Sequence, residues 1–137
     1  KNSFIINSIL NYLISLFIDE SREQVHINHI LAPAVAYIEA NITEKINIPK
    51  LAQIVHLTPN YFSTLFKKIM GTSPSYYILE KKLNLAATLI LNGEMNITEI
   101  SNYLNFTNSI YFSSIFKKYF GSSPQIWKKK QLPLIFP

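Results

Sequence analysis

Tyr61-Phe-Ser-Thr-Leu-Phe-Lys-Lys-Ile-Met-Gly-Thr-Ser-Pro74 and Tyr111-Phe-Ser-Ser-Ile-Phe-Lys-Lys-Tyr-Phe-Gly-Ser-Ser-Pro124 are near copies of one another, 50 positions apart. Upstream the match continues with its register changed by one. Asn47-Ile-Pro-Lys-Leu-Ala-Gln-Ile-Val-His-Leu57 stands against Asn96-Ile-Thr-Glu-Ile-Ser-Asn-Tyr-Leu-Asn-Phe106. The extra residue of the second copy therefore falls between Thr107 and Ile110, in a turn, where insertion is cheap. Each copy reads as two short helices. Asn47 caps the first, which runs to about Val55 with Pro49 in its first turn. Asn96 and Glu99 have the spacing of a capping box. A short turn follows, His56-Leu57-Thr58 or Asn105-Phe106-Thr107. Thr58 then caps a second helix that has Pro59 at its first position.

The second helices place Phe62, Leu65, Phe66 and Ile69, or Phe112, Ile115, Phe116 and Tyr119, at i, i+3, i+4 and i+7, one buried stripe each. Their other face carries Asn60, Ser63, Thr64 and Lys67, or Ile110, Ser113, Ser114 and Lys117. Gly71 and Gly121 supply left-handed stops, and Ser73-Pro74 and Ser123-Pro124 restart the chain as N-cap and first-turn proline. Between the copies, the apolar positions Tyr77, Ile78, Leu85, Ala86, Leu89 and Ile90 predict one long helix over Pro74–Leu91, ending near Asn92-Gly93. A helix of that length spans roughly 27 Å and so sets a distance between the repeated units. Ahead of the first copy, Leu31–Ile42 reads as a supporting helix with Val35 and Ile38 inward, and Pro33 fits only in its first turn. At the far end, Lys128-Lys129-Lys130 follows a last helix and Gln131–Pro137 reads as a loose tail.

Two short helices joined by a turn of three or four residues form the helix-turn-helix shape, whose second helix enters the major groove of DNA. Two such units on a rigid connector reach two groove segments on one face of B-DNA, about 34 Å apart. Lys67/Lys68 and Lys117/Lys118, with Lys81/Lys82 on the connector, are placed to meet phosphate. A plain helical bundle also keeps lysines outside, but it has no reason to duplicate a small polar face followed by a lysine pair.

Charge points the same way. Residues 1–44 hold Lys1 and Arg22 against Asp19, Glu20, Glu23, Glu39 and Glu44, a net −3, whereas residues 45–137 hold eleven lysines against Glu80, Glu94 and Glu99, a net +8. A cationic segment of this kind attracts a polyanion. The absence of cysteine excludes disulfide scaffolds, thiolate zinc sites and cysteine nucleophiles. The histidines are His26, His29 and His56 and the only aspartate is Asp19, with no glycine-rich phosphate loop and no nucleophile–base pair. His26 and His29 share a helical face but lack a third ligand, and His56 reads as the turn residue of the first unit. No catalytic residue, metal or cofactor is expected. Single-stranded nucleic-acid binding needs exposed aromatics interleaved with lysine, whereas most aromatics here fall on the buried stripes.

Phe4–Ile18 is strongly apolar but too short to span a bilayer, which takes about 20 apolar residues. Its polar members Asn7, Asn11 and Ser15 recur at i, i+4 and i+8, and no signal-peptide cleavage pattern follows. It reads as an amphipathic helix whose apolar side packs elsewhere. Its polar face is Asn/Ser rather than basic, which argues against a membrane-surface role.

From about Ile30 to Lys130 the chain resembles the DNA-binding domain of the AraC/XylS regulators. The likeness rests on Tyr37-Ile-Glu-Ala-Asn41, Leu51-Ala52, Leu57-Thr-Pro-Asn-Tyr-Phe-Ser63, Phe66-Lys-Lys68, Gly71-Thr-Ser-Pro74, Lys82-Leu83 with Ala86 and Leu89-Ile90, Ile97-Thr-Glu-Ile100, Phe106, and Tyr111-Phe112 through Phe116-Lys-Lys118 and Gly121-Ser-Ser-Pro124. The resemblance implies an all-α fold of seven helices, two helix-turn-helix subdomains joined by a long central helix, here preceded by the extra amphipathic helix. It implies a bacterial, cytoplasmic, nucleoid-associated transcription regulator, an activator that binds double-stranded DNA and touches RNA polymerase. By position, base reading falls on Asn60, Ser63 and Thr64 in the first lobe and on Ser109, Ile110, Ser113 and Ser114 in the second. Phosphate contact falls on Thr58, Lys67, Lys68, Lys82, Thr98, Lys117 and Lys118. Residues 1–27 are expected to be a linker or the end of a sensor and dimerisation domain, through which the protein forms a homodimer. Residues 28–130 are expected to be the double helix-turn-helix domain and 131–137 a tail.

The chain departs from the family where arginine or glutamine commonly reads guanine or adenine bidentately. Of that kind it offers only Asn60, plus hydroxyls and one aliphatic side chain. Direct readout is therefore expected to be weak, with affinity from phosphate and specificity from DNA shape at an A/T-rich site whose thymine methyls meet Ile110. The competing reading is a helical module that binds polymerase or another protein without touching bases.

Overall fold

Helix starts in this chain are set by short polar side chains. Asn47, Thr58, Ser73, Asn96 and Asn108 each stand in extended backbone and accept a hydrogen bond from the amide three residues on. One of the otherwise orphaned donors at each start is thereby satisfied. The Asn96–Glu99 capping box closes in both directions, at 2.9 and 2.7 Å. The computed structural model describes residues 9–10, 12–14, 16 and 28–135. From residue 28 onward they form seven helices: α1 over 28–40, α2 Ile48–Ile54, α3 Pro59–Met70, α4 Pro74–Asn92, α5 Ile97–Tyr103, α6 Ser109–Phe120 and α7 Pro124–Ile135. No strand occurs among the described residues. The expected all-helical architecture, two helix-turn-helix lobes on a long central helix, is the one observed.

The turns inside the two lobes are alike to the level of single hydrogen bonds. His56 and Asn105 adopt left-handed backbone, φ 58° and 59°. The His56 amide donates to the Gln53 carbonyl and the Leu57 amide to Ala52, while Asn105 donates to Asn102 and Phe106 to Ser101. This pairing closes the helix end and turns the chain sharply towards the next helix. The second turn is one residue longer: Asn108 caps α6 as Thr58 caps α3, so the extra residue is Thr107 itself and not, as expected, one between Thr107 and Ile110.

Each lobe has its own core. Leu31, Ala34 and Ile38 from α1, Leu51 and Ala52 from α2 and Phe62, Leu65 and Phe66 from α3 are buried together with Ile78 of α4. Leu83, Ala86, Ala87 and Ile90 of α4 are buried with Ile100, Leu104, Phe112 and Phe116. In the second lobe Phe116 meets Trp127 of α7 edge-on, ring centroids 5.5 Å apart. Burying a Phe side chain contributes about 1.5–3 kcal/mol, so four fully buried phenylalanines, Phe62, Phe66, Phe112 and Phe116, are the main apolar anchors of the two lobes.

Two expectations need correction. Pro33 does not sit in a first turn: the described part of α1 begins at residue 28. The proline lies on its exposed side, where an unmatched carbonyl is solvated. The lysines Lys128–Lys130 lie within α7 rather than after it, and that helix continues through Pro133 to Ile135, so residues 131–135 are helical rather than a loose tail. Pro133 removes one internal hydrogen bond near the solvent-facing end, where the loss is small. Upstream, residues 9–10, 12–14 and 16 are helical, and Ile9, Leu10, Leu13, Ile14 and Leu16 are each about half exposed. Asn7, Asn11 and Ser15 lie outside the described residues.

The first-lobe counterpart of Ser101 is Ala52, and both positions are fully buried. The Ser101 hydroxyl has no hydrogen-bond partner, so it carries a desolvation penalty that the first lobe avoids. Ser101→Ala is expected to raise unfolding stability by about 1 kcal/mol, measured by urea denaturation, whereas Ala52→Ser should lower it by a similar amount.

Candidate nucleic-acid interface

The outward faces of α3 and α6 follow directly from their buried stripes. With Phe62, Leu65 and Phe66 turned inward, Asn60, Ser63 and Thr64 share the opposite side. With Phe112 and Phe116 inward, Ser109, Ile110, Ser113 and Ser114 do the same. Asn60, Thr64 and Ser114 are exposed, while Ser63, Ser109 and Ser113 are half-buried. Ile110 is 82% exposed, and so contributes little to the core. The Thr64 hydroxyl donates to the Asn60 carbonyl at 3.0 Å, which leaves its oxygen as an acceptor. Lys67, Lys68, Lys117 and Lys118 are exposed in the last turns of their helices, where a cation also complements the helix C-terminus. Neither helix has an acidic residue in its first turn, so nothing there repels a phosphate.

Two of the expected phosphate ligands sit at helix starts. Thr58 accepts the Tyr61 amide at 3.3 Å, and its hydroxyl proton remains available as a donor. Thr98 is exposed in the first turn of α5.

Lys82 is different. It is only 7% exposed, and its Nζ donates to the Glu44 carbonyl at 3.0 Å and to the Leu104 carbonyl at 2.6 Å. The expectation that it meets phosphate is therefore wrong: its charge is spent inside the protein, with the Phe106 ring centroid 6.0 Å away. Its neighbour Lys81 is exposed, 3.8 Å from the Glu39 carboxylate and 5.4 Å from the Tyr77 ring centroid.

Residues 51–130 match a family described as a helix-turn-helix domain. A transcriptional regulator of Chromobacterium violaceum, whose structure is described as containing an AraC-type DNA-binding domain, superposes with a TM-score of 0.71 at 30% identity. That match covers 77% of this chain and 94% of the other. The chain belongs to the AraC-type helix-turn-helix family. The DNA-binding domain of AdpA, solved with a target DNA, shares the fold at a TM-score of 0.69 and 20% identity, over 74% of this chain and 91% of that one. The regulator YobQ of Bacillus subtilis is 37% identical over 75 residues, 55% of this chain and 31% of its own length. The chain spans less than half the length of the curated relatives it matches.

On this AraC-type scaffold the outward sides of α3 and α6 also carry three polar groups that the sequence analysis did not single out. Asn108 caps α6 through its Oδ1, 2.7 Å from the Tyr111 amide, and its side-chain amide is left with two donors at the position equivalent to Thr58. Tyr61 and Tyr111 are 56% and 46% exposed at the start of α3 and α6. A signal for the tyrosines was present: both precede the first buried Phe and so fall off the apolar stripe. Among the described residues no group of three His, Asp or Glu side chains is placed to hold a metal.

Burial pushes the Lys82 ammonium below the ordinary lysine value of 10.5, against a smaller opposing pull from the Glu44 carboxylate. The Tyr119 hydroxyl donates to Glu80 Oε1 at 2.7 Å, and this bond, with some burial, raises the phenol above its ordinary value of 10.0. As pH climbs towards 10.5, the unfolded chain holds more protons at Lys82 than the native one does, so stability rises on that account. Above 10.0 the unfolded tyrosine has lost its proton while native Tyr119 keeps it, so stability falls on that account. In urea unfolding, the wild type should accordingly gain on Lys82→Met as pH rises towards 10.5. Its advantage over Tyr119→Phe should hold up to pH 10 and shrink above it.

Proposed function

We propose that this protein is a sequence-specific, double-stranded-DNA-binding transcription regulator that inserts α3 and α6 into successive major-groove segments. The observation that carries the reading is the congruence of the two lobes: each presents, after the same left-handed turn, a capped helix with a small polar face and a C-terminal lysine pair. α4, with 19 residues, spans about 28 Å, which suits two groove segments one helical turn apart. Sequence information is read by Asn60, Ser63 and Thr64 from one lobe and by Ser109, Ile110, Ser113 and Ser114 from the other. Phosphate is met by Thr58, Lys67, Lys68, Thr98, Lys117 and Lys118, with Lys82 removed from that set. The near absence of forked side chains from these faces leaves phosphate contact and DNA shape as the larger contributions. The exposed Ile110 suits thymine methyls, and therefore an A/T-rich box.

The curated relatives are transcriptional regulators, which supports the same role for the longer protein. We extend the reading to a bacterial cytoplasmic activator that touches RNA polymerase and pairs as a homodimer through the region ahead of residue 28.

Selection from random double-stranded DNA should return two boxes about one helical turn apart. A pool with no enriched motif would overturn the reading. Lys117→Gln should weaken binding to all sequences alike and reduce the slope of log affinity against log salt by about 0.9, whereas Ile110→Ala should leave that slope unchanged and relax preference at one A/T position.

A further inference from the structure

We propose that Lys82 is a specificity-determining positioning residue: by bridging the Glu44 and Leu104 carbonyls, it holds the two lobes in one relative setting and so selects the spacing between their DNA boxes. The inference rests on the DNA-binding reading above, but its structural half can be tested without DNA.

The position of Lys82 along α4 is what makes it a bridge. Ile78, one turn before it, is buried in the first lobe, and Leu83, Ala86 and Ile90 after it are buried in the second. Lys82 thus stands near the boundary of the two apolar cores, with Leu79, three residues before it, already packed against the second. Its two hydrogen bonds end at opposite lobes, 38 residues before it and 22 after it. Glu44 lies in the segment that leads from α1 to the Asn47 cap of α2. Leu104 is the C-cap of α5, immediately before the left-handed Asn105 that aims α6. One bond therefore grips the chain just ahead of the first helix-turn-helix unit, and the other grips the turn inside the second.

Lysine chemistry suits this position. The ammonium offers several donors on a long apolar stem, so the stem packs between the cores while one head satisfies two carbonyls. One of those carbonyls closes a helix C-terminus, where positive charge is favoured. A hydrophobic side chain of equal bulk fills the space but grips neither lobe. The neighbouring Lys81–Glu39 pair is solvent-exposed on both sides and cannot substitute, because exposed ion pairs contribute little.

The test uses the full chain with Lys82→Met, which keeps stem length and removes the donors, and Lys82→Arg, which keeps them. NMR residual dipolar couplings of the free protein report the relative orientation of the lobes. Competition binding compares the selected bipartite site with versions in which one base pair is inserted or removed between the boxes. For the wild type and Lys82→Arg, one orientation should fit both lobes, and each altered spacing should reduce affinity on the order of tenfold, as a mismatched site does. In Lys82→Met the couplings should no longer fit one orientation and the spacing penalty should fall below about threefold, with the base preference of each box retained. Unchanged couplings and an unchanged spacing penalty in Lys82→Met would overturn the proposal while leaving the DNA reading intact. A wild type that selects no bipartite site would overturn the DNA reading, and the spacing role with it, while the couplings still decide the bridge. Should Lys82→Met fail to fold, judged by the near-ultraviolet signal of Trp127, Lys82→Gln is read by the same two measurements.

Discussion

The structure turns on α4 having to serve two cores at once. A helix shows one apolar stripe, and a lobe of three short helices cannot close around its own aromatics without a further surface to pack on. α4 supplies that surface twice, with Ile78 for the first lobe and with Leu83, Ala86, Ala87 and Ile90 for the second. Everything that points outward depends on this. Phe62 and Phe66 orient α3, and Phe112 and Phe116 orient α6, only because α4 completes the pocket each pair occupies. The polar faces of the two recognition helices are thus set by hydrophobic burial on their opposite sides.

The cost of one helix joining two cores is a waist with no apolar core of its own. A lysine fills that waist, and its desolvation is offset by two carbonyl acceptors and a nearby aromatic ring. The same economy appears at the turns. The left-handed residues inside the helix-turn-helix units are His56 and Asn105, whereas glycine takes the ends of the longer helices at Gly71, Gly93 and Gly121. Asparagine tolerates that backbone region better than most residues. The bonds from Leu57 to Ala52 and from Phe106 to Ser101 hold both turns in the same shape despite the differing side chain.

Most of the fold was legible because it is written in local chemistry. Caps, first-turn prolines, terminal glycines and the i, i+3, i+4, i+7 stripes each act within a few residues, and the internal duplication repeats the message. The boundaries of α2, α4 and the α5 capping box came out within a residue or so of expectation for that reason. Where local rules pointed to two outcomes, the reading failed. Pro33 and Pro133 both lie inside helices on solvent-facing sides, where a missing amide is tolerated. The Thr107 insertion moved the α6 cap to Asn108, because both Thr and Asn are capable caps and only the geometry of the turn chooses between them. Among the residues of the candidate interface, Asn60, Ile110 and the two lysine pairs could be placed by periodicity alone, since their exposure is the complement of the buried stripe.

Taken by itself, the sequence determined the helices, their order, the two buried stripes and the polar faces opposite them, because each follows from contacts close along the chain. Tertiary structure alone decided the fate of Lys82. By periodicity it is one of an adjacent pair of lysines on the connecting helix, with nothing local to mark it as the buried one. A rotation of about 100° per residue around the helix axis separates a solvated side chain from one aimed into the junction of two lobes. The acceptors that make its burial tolerable, the carbonyls of Glu44 and Leu104, are backbone atoms far away along the chain. They carry no side-chain signature and meet only when both lobes have packed.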